Sequence, residues 1–272
     1  MSNQKTSTAT PGKFSGMFAA AIIPIALVLG IFIFKFILGD PSHFEGGDPT
    51  KHPHPGDYLG MMYKGGILVP ILMAVFIIVV CVIIERMYTL SVASGKGSIP
   101  SFVRKIKSLL DGNQVDAAIA ECDKQKGSVA NVIREALHKY KEMSSNQGLD
   151  KEQKVLAIQK EIEEATSLEL PMLEKNLVIL ATISSVATLL GLLGTVFGMI
   201  RAFSAIATAG APDAVALSTG ISEALINTAL GISSSAIAVI SYNYFTTRID
   251  GLTYGIDEAG FSIAQNFASK NS

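Results

Sequence analysis

Four stretches of at least 20 residues without a single Asp, Glu, Lys or Arg constrain this chain more than any other feature. They are residues 14–34, 65–84, 176–200 and 224–247, of 21, 20, 25 and 24 residues. A helix that crosses a hydrocarbon core about 30 Å thick needs about 20 mostly apolar residues. Four such runs predict an all-α polytopic membrane protein with four transmembrane helices; a large soluble core seldom produces them. Composition agrees: 17% of residues are charged, against about 25% in soluble domains. Mean hydropathy is +0.41. The first run could also be read as a secretory signal peptide, but no small-x-small cleavage site follows Lys35-Phe-Ile-Leu-Gly-Asp40, so it reads as an uncleaved anchor.

Basic residues near the helix ends set the expected orientation. Residues 39–64 hold only Lys51 and Lys64, and residues 207–217 hold no Lys or Arg. Residues 85–175 carry 14 basic and 14 acidic side chains, with Arg86, Lys96, Arg104, Lys105 and Lys107 close behind the second run. That segment is therefore expected in the cytoplasm, with both termini inside and the two short connections outside. The expected plan is a cytoplasmic tail and first transmembrane helix (1–38), a periplasmic loop (39–66), a second transmembrane helix (67–86), a cytoplasmic helical domain (87–175), a transmembrane hairpin lining a pore (176–247) and a cytoplasmic tail (248–272). Helical spacing inside the cytoplasmic segment supports it, as at Val129, Val132, Ile133, Ala136 and Leu137. Pro171 is expected to kink a helix rather than end it.

The third and fourth runs differ from the first two, which are rich in Ile, Val, Phe and Leu. The third carries Ser184, Thr188, Gly191, Thr195 and Gly198; the fourth carries Gly220, Ala224, Asn227, Gly231, Ser234, Ala238 and Ser241, all spaced alternately by four and three. Small residues at that spacing let two backbones approach, and Gly194-x-x-x-Gly198 is a tight-crossing motif. Gly191, Gly194, Gly198, Gly220 and Gly231 are thus the expected packing positions, and the bland reading is that the stripes do nothing else. Glu223 resists that reading. Counted from a helix start near Pro212 it lies eleven residues in, about 16 Å down. A carboxylate at such depth must pair, face water or stay protonated. Thr195 is expected close to the level of Glu223, and Thr228 about one turn beyond. One copy cannot hide Glu223, Asn227, Thr195 and Thr228 from lipid, so a homo-oligomeric ring is expected.

These segments resemble a known family. Ala181-Thr182-Ile183, Gly191-Leu-Leu-Gly-Thr-Val-Phe-Gly-Met-Ile200, Ala202-Phe203 and Gly220-Ile-Ser-Glu-Ala-Leu-Ile-Asn-Thr-Ala-Leu-Gly231 resemble the ExbB/TolQ family, distant relatives of the MotA motor proteins, and most of all ExbB. The exit Tyr242-Asn243-Tyr244-Phe245 also fits, and the resemblance covers residues from about 60 to 250. It implies a proton-driven inner-membrane motor subunit, a pentameric ring around single helices of ExbD/TolR-like partners that each carry a membrane-embedded Asp. Energy then passes to a TonB-like protein. Matching the motifs puts the polar lining at Thr195, Glu223 and Thr228. Two positions depart from the pattern: Thr188 and Ile237 stand where the family often has Pro, and Thr188 adds a hydroxyl one heptad from Thr195. The first helix is an addition to the usual three-helix plan.

Other signals are weaker. His52-Pro-His54-Pro, with His43, Glu45 and Asp57, has donors for a metal, although loop histidines beside prolines are more often solvated, and no metal is expected. Arg201 either snorkels to the outer headgroups or pairs with an acid on a neighbouring subunit or partner. Gly95-Lys-Gly-Ser98 lacks phosphate-loop spacing, and no Ser/His/Asp or Cys/His set supports catalysis or a cofactor. Cys81 and Cys122 make no disulfide framework, and a net charge of −1 argues against nucleic-acid binding. A substrate transporter would show inverted repeats and broken helices; a scaffold would use the polar stripes only for packing. An ExbB-like import role is chosen over TolQ-like envelope maintenance, since the two differ by partner more than by ring motif.

Overall fold

The computed structural model describes residues 12–208 and 214–270. The helix start read at Pro212 and the turn read after Thr208 lie outside the described residues. Nine α-helices follow one another among them: α1 (Gly12–Phe32), α2 (Tyr58–Tyr63), α3 (Val69–Ala93), α4 (Ile99–Asp111), α5 (Val115–Gln125), α6 (Gly127–Ser145), α7 (Lys151–Glu174), α8 (Leu177–Thr208) and α9 (Ala214–Lys270). No strand occurs among the described residues. Four helices are long and apolar enough to cross a membrane, as the uncharged runs predict.

The chain divides into two compact units. The first comprises the described residues up to Val82 together with those of Ile179–Ser241. Its helices leave large apolar side chains uncovered, among them Ile25 (63%), Val28 (69%), Leu189 (63%) and Ile240 (68%). Water would not tolerate such a surface, whereas lipid or a second protein does. The additional first helix crosses α3 at Gly30, where a Cβ would meet the Pro70 carbonyl at 2.6 Å. α1 loosens into a π-turn over Ile33–Leu38, and Phe34 stacks on Tyr63 with centroids 4.7 Å apart. Residues 39–64 form an ordered loop. Asp57 caps α2 by accepting from the Leu59 and Gly60 amides, His43 Nδ1 lies 2.7 Å from Asp57 Oδ2, and Lys64 Nζ donates to the Pro49 and Thr50 carbonyls. Among the described residues no cluster of three or more His, Cys, Asp or Glu has the spacing of a metal site.

The second unit holds Ile83–Val178 and the described residues from Tyr242. Its core follows from helical spacing. Phe102, Val103, Ile106 and Leu110 of α4, and Val129, Val132, Ile133, Ala136, Leu137 and Tyr140 of α6, are buried together with Leu252, Ile256, Ile263 and Phe267 of α9. Asp150 and Gln153 start α7 with a reciprocal capping box. The segment from 248 is not a tail: α9 runs on unbroken to Lys270, because an apolar face at i, i+4, i+7 and i+11 gives it a core to bury. Tyr140 closes this end, with its ring edge-on to Phe267 and its hydroxyl 3.1 Å from Asn266 Oδ1.

Pro171 lies inside α7, as expected. The helix stops instead at Lys175 and Asn176, where Asn176 takes a left-handed φ of +63° that Asn tolerates better than most residues. A charged network fixes this break. Arg86 Nη1 donates to the Leu173 carbonyl at 3.0 Å, and its Nε and Nη2 hold Glu85 at 2.7 and 2.5 Å. Glu85 also accepts from Thr89 Oγ1 at 3.0 Å and Asn176 Nδ2 at 3.2 Å.

Candidate functional site

The site is built where α8 and α9 run antiparallel. Glycines set their distance: a Cβ on Gly198 would meet the Gly220 carbonyl at 2.6 Å, and one on Gly220 would meet the Gly198 carbonyl at 2.7 Å. Gly231 lies against Gly191 and the Ala187 carbonyl in the same way, while Gly194 leaves the space that Asn227 fills. Each of these five glycines lies against the facing helix, and the contact is close enough for Ser235 Oγ to donate to the Ser184 carbonyl.

This register decides where the polar residues fall. Glu223 is level with Gly198, Asn227 with Gly194, and Thr228 with Gly191. Glu223 is therefore level with the end of the third uncharged run, and the polar groups occupy successive turns. α8 continues to Thr208, well past Ile200, so this level still lies within the helix pair.

Glu223 is 4% exposed. Arg201, on the facing helix, places Nη1 2.8 Å from both carboxylate oxygens. Its side chain is 58% exposed, so the carboxylate is sealed while the guanidinium opens outward. Arg201 thus finds an acid within its own chain, because the glycine register brings the two helix borders together. On the other side lies the short turn Gly66–Leu68 that precedes α3. Gly66 has φ +77°, and a Cβ there would overlap Glu223 Oε1, so only glycine fits. Asn227 Nδ2 donates to the Gly65 carbonyl at 2.8 Å, and Asn227 is 1% exposed. Its Oδ1 is buried with no hydrogen-bond partner among the described residues.

The threonines stand apart from this cluster. Thr228 is half-buried between the helices, 3.2 Å from the Ala224 carbonyl and 3.4 Å from that of Gly191. Thr195 donates to its own Leu192 carbonyl at 2.6 Å. It lines an open groove of about 530 Å³ on α8 with Val196, Met199, Ile200, Phe203 and Ser204. Thr188 is half-buried further along the same helix. The structure brings together Arg201, Glu223, Asn227 and the Gly65-Gly66 turn, and leaves Thr195 and Thr188 on another face. Gly66 went unread in the sequence, since a glycine contact across 157 positions (66 to 223) leaves no local mark.

The profile of the MotA/TolQ/ExbB proton channel family matches residues 124–258, a span that includes every element of this site except the Gly65-Gly66 turn. The chain is 28% identical over 159 residues to the Tol-Pal system protein TolQ of Pseudomonas aeruginosa, covering 58% of this chain and 69% of that protein. It is 39% identical over 98 residues to the TolQ protein of Haemophilus influenzae, covering 35% and 43% of the two chains. With the biopolymer transport protein ExbB of Pseudomonas putida it shares 38% identity over 85 residues, 31% of this chain and 26% of that one. Helical architecture, glycine register and sequence agree, and the chain belongs to the MotA/TolQ/ExbB proton channel family.

Proposed function

We propose that the chain is the ring-forming subunit of a proton-motive-force-driven motor in the bacterial inner membrane, which works with an ExbD-like partner to energise TonB-dependent outer-membrane transport. The observation that carries this reading is the Arg201–Glu223 pair. A sealed carboxylate in apolar surroundings is costly without a positive charge beside it. Its counter-charge is on an exposed, flexible side chain, so departure of the guanidinium and arrival of a proton at Glu223 exchange one positive charge for another. A membrane path needs such an exchange, because the two steps taken together leave no net buried charge.

The groove on α8 suits the partner helix. Thr195 offers it a hydroxyl, and a hydroxyl that donates within its own helix still accepts from water or from an acid. Around it Val196 (52%), Phe203 (62%) and Leu189 (63%) are uncovered, which favours several copies closing around a lumen. On this reading both termini and the second unit are cytoplasmic, and residues 39–64 face the periplasm. A TolQ-like role in envelope maintenance is the second reading, favoured by the 159-residue match to a Tol-Pal protein.

The test is Glu223→Gln in the complex isolated with its native partner. Native mass spectrometry is expected to give the same discrete multimer as the parent, while energy-dependent uptake through an outer-membrane transporter is lost. Normal uptake at normal expression would sink the proton-path reading. Normal uptake in a strain lacking the chain, with a detergent-sensitive envelope, would select the TolQ-like role.

A further inference from the structure

A cavity of about 140 Å³ lies between the 39–64 loop and the first turns of α9, walled by His52, Met61, Lys64, Ser218, Thr219 and Ser222. It has no place in the function derived above, yet it adjoins the site. Lys64 is two residues from Gly66, and Ser222 is next to Glu223. Thr219, Glu223 and Asn227 follow at intervals of four along α9, which stacks their side chains on one face about 5–6 Å apart. The column starts in the cavity wall, passes the carboxylate held by Arg201, and ends at Asn227 Oδ1, a fully buried acceptor with no partner among the described residues.

We infer that this cavity is the outer aqueous vestibule of Glu223, and that water held on the Thr219–Glu223–Asn227 column carries protons from it to the carboxylate. A volume of about 140 Å³ holds roughly four waters at about 30 Å³ each. The walls offer polar contacts to them: the imidazole of His52 and the hydroxyls of Ser218, Thr219 and Ser222. Thr219 Oγ1 donates to the Val215 carbonyl at 2.9 Å and keeps its lone pairs for a water proton. Lys64 does not block the space with its charge, since its Nζ is held 2.9 Å from the Pro49 and Thr50 carbonyls. A buried amide oxygen without a partner is costly, and a water at the base of the column removes that cost at Asn227. The loop that closes the cavity comes from the segment between α1 and α3. The first helix therefore acquires a role, because it anchors one end of the vestibule wall.

The inference rests on the proposed proton path through Glu223, and the experiment separates the two. In a Cys81→Ala, Cys122→Ala background, Ser222→Cys and Leu225→Cys are treated in whole cells with an impermeant cationic thiosulfonate. Leu225 lies one turn from Ser222 but is 64% exposed on an apolar face. Ser222→Cys is expected to react at least tenfold faster than Leu225→Cys, and its modification is expected to block proton flux through the native complex reconstituted in liposomes. Thr219→Val, nearly isosteric, is expected to lower that flux about fivefold with the multimer intact. If Glu223→Gln stops flux but Ser222→Cys is as inert as Leu225→Cys, or Thr219→Val conducts normally, the vestibule is overturned and the proton path stands. If Glu223→Gln conducts normally, both fall.

Discussion

Among the described residues two Arg–Glu pairs have one sealed partner, one pair in each unit, and they are built in opposite ways. Arg86 and Glu85 are adjacent in sequence, and the arginine is the sealed partner: its side chain is 2% exposed against 23% for Glu85. Every strong donor there is committed, to Glu85 and to the Leu173 carbonyl, and Thr89 and Asn176 add further bonds to the carboxylate. Arg201 and Glu223 come from different helices, and the acid is the sealed partner at 6% against 58% for the arginine. Held by one exposed cation, that acid can be released. A multiply bonded pair fixes a helix break; a singly held one can exchange its charge. On the proposed reading the same two residue types serve structure in one place and transport in the other, and the number of partners separates the roles.

The sharpest way to break this comparison is to neutralise both acids. Glu223→Gln is expected to reduce proton-coupled uptake by about 10²-fold or more, as loss of an essential proton-transfer group does, with the multimer preserved. Glu85→Gln is expected to lower stability, since its single carbonyl oxygen keeps only half of the bonds from Arg86, Thr89 and Asn176, but to leave uptake per folded complex within about twofold. Equal losses in the two variants would mean that both pairs are structural, or that both conduct.

Removing the arginines should reverse the ranking. Arg86→Met leaves Glu85 and the Leu173 carbonyl short of donors in a buried place, and is expected to destabilise the second unit by about 3 kcal/mol. Arg201→Met removes an exposed side chain whose sealed partner Glu223 can take up a proton in its place, and is expected to cost about 1 kcal/mol in stability while lowering uptake at least tenfold. Denaturant midpoints and uptake assays on the same preparations check both. A third variant refines the contrast. Gly66→Ala forces a left-handed residue, a strain of about 1–2 kcal/mol, and sets its methyl against Glu223. Its stability loss should be modest and its uptake loss several-fold; normal uptake would show that Glu223 does not need this floor.

How far the sequence carries these distinctions depends on the range of each interaction. The four apolar runs were legible because absence of charge over 20 residues is a purely local property, and the five packing glycines because helical spacing alone puts them on one stripe. Glu223 stood out for the same reason. Its partner did not, although Arg201 and Glu223 each border an uncharged run and the Gly198–Gly220 register sets them level. Treating each helix by itself left Arg201 between the headgroups and an acid on a neighbour. The break after α7 was placed by an interaction, Asn176 to Glu85 across 91 positions, rather than by the proline four residues inside the helix end. The C-terminal segment read as a tail because its apolar positions are sparse, yet those few suffice once α4 and α6 supply the other half of the core.

A third acid–base pair, His43–Asp57 in the loop, should give the smallest effect and calibrates the other two. Asp57 is neither sealed nor held by an arginine. The Gly60 amide and the His43 side chain lower its carboxyl from the usual 3.8, with weak burial opposing them, and the Leu59 amide adds to the shift. A carboxyl lowered in the folded state stabilises above its unfolded value, about 3.9, and loses that contribution as pH falls through the lower folded value. From pH 7 to pH 5 Asp57 itself is therefore expected to change nothing. Below about pH 4 its cap on α2 should weaken. Hydrogen-exchange protection of the Leu59 and Gly60 amides, corrected for intrinsic rate, is expected to stay level down to pH 5 and then decline. Asp57→Asn should remove the acid dependence and lower protection a few-fold at pH 7, with uptake unchanged. A loss of uptake in Asp57→Asn would mean that the loop takes a more direct part in the proton path than a wall.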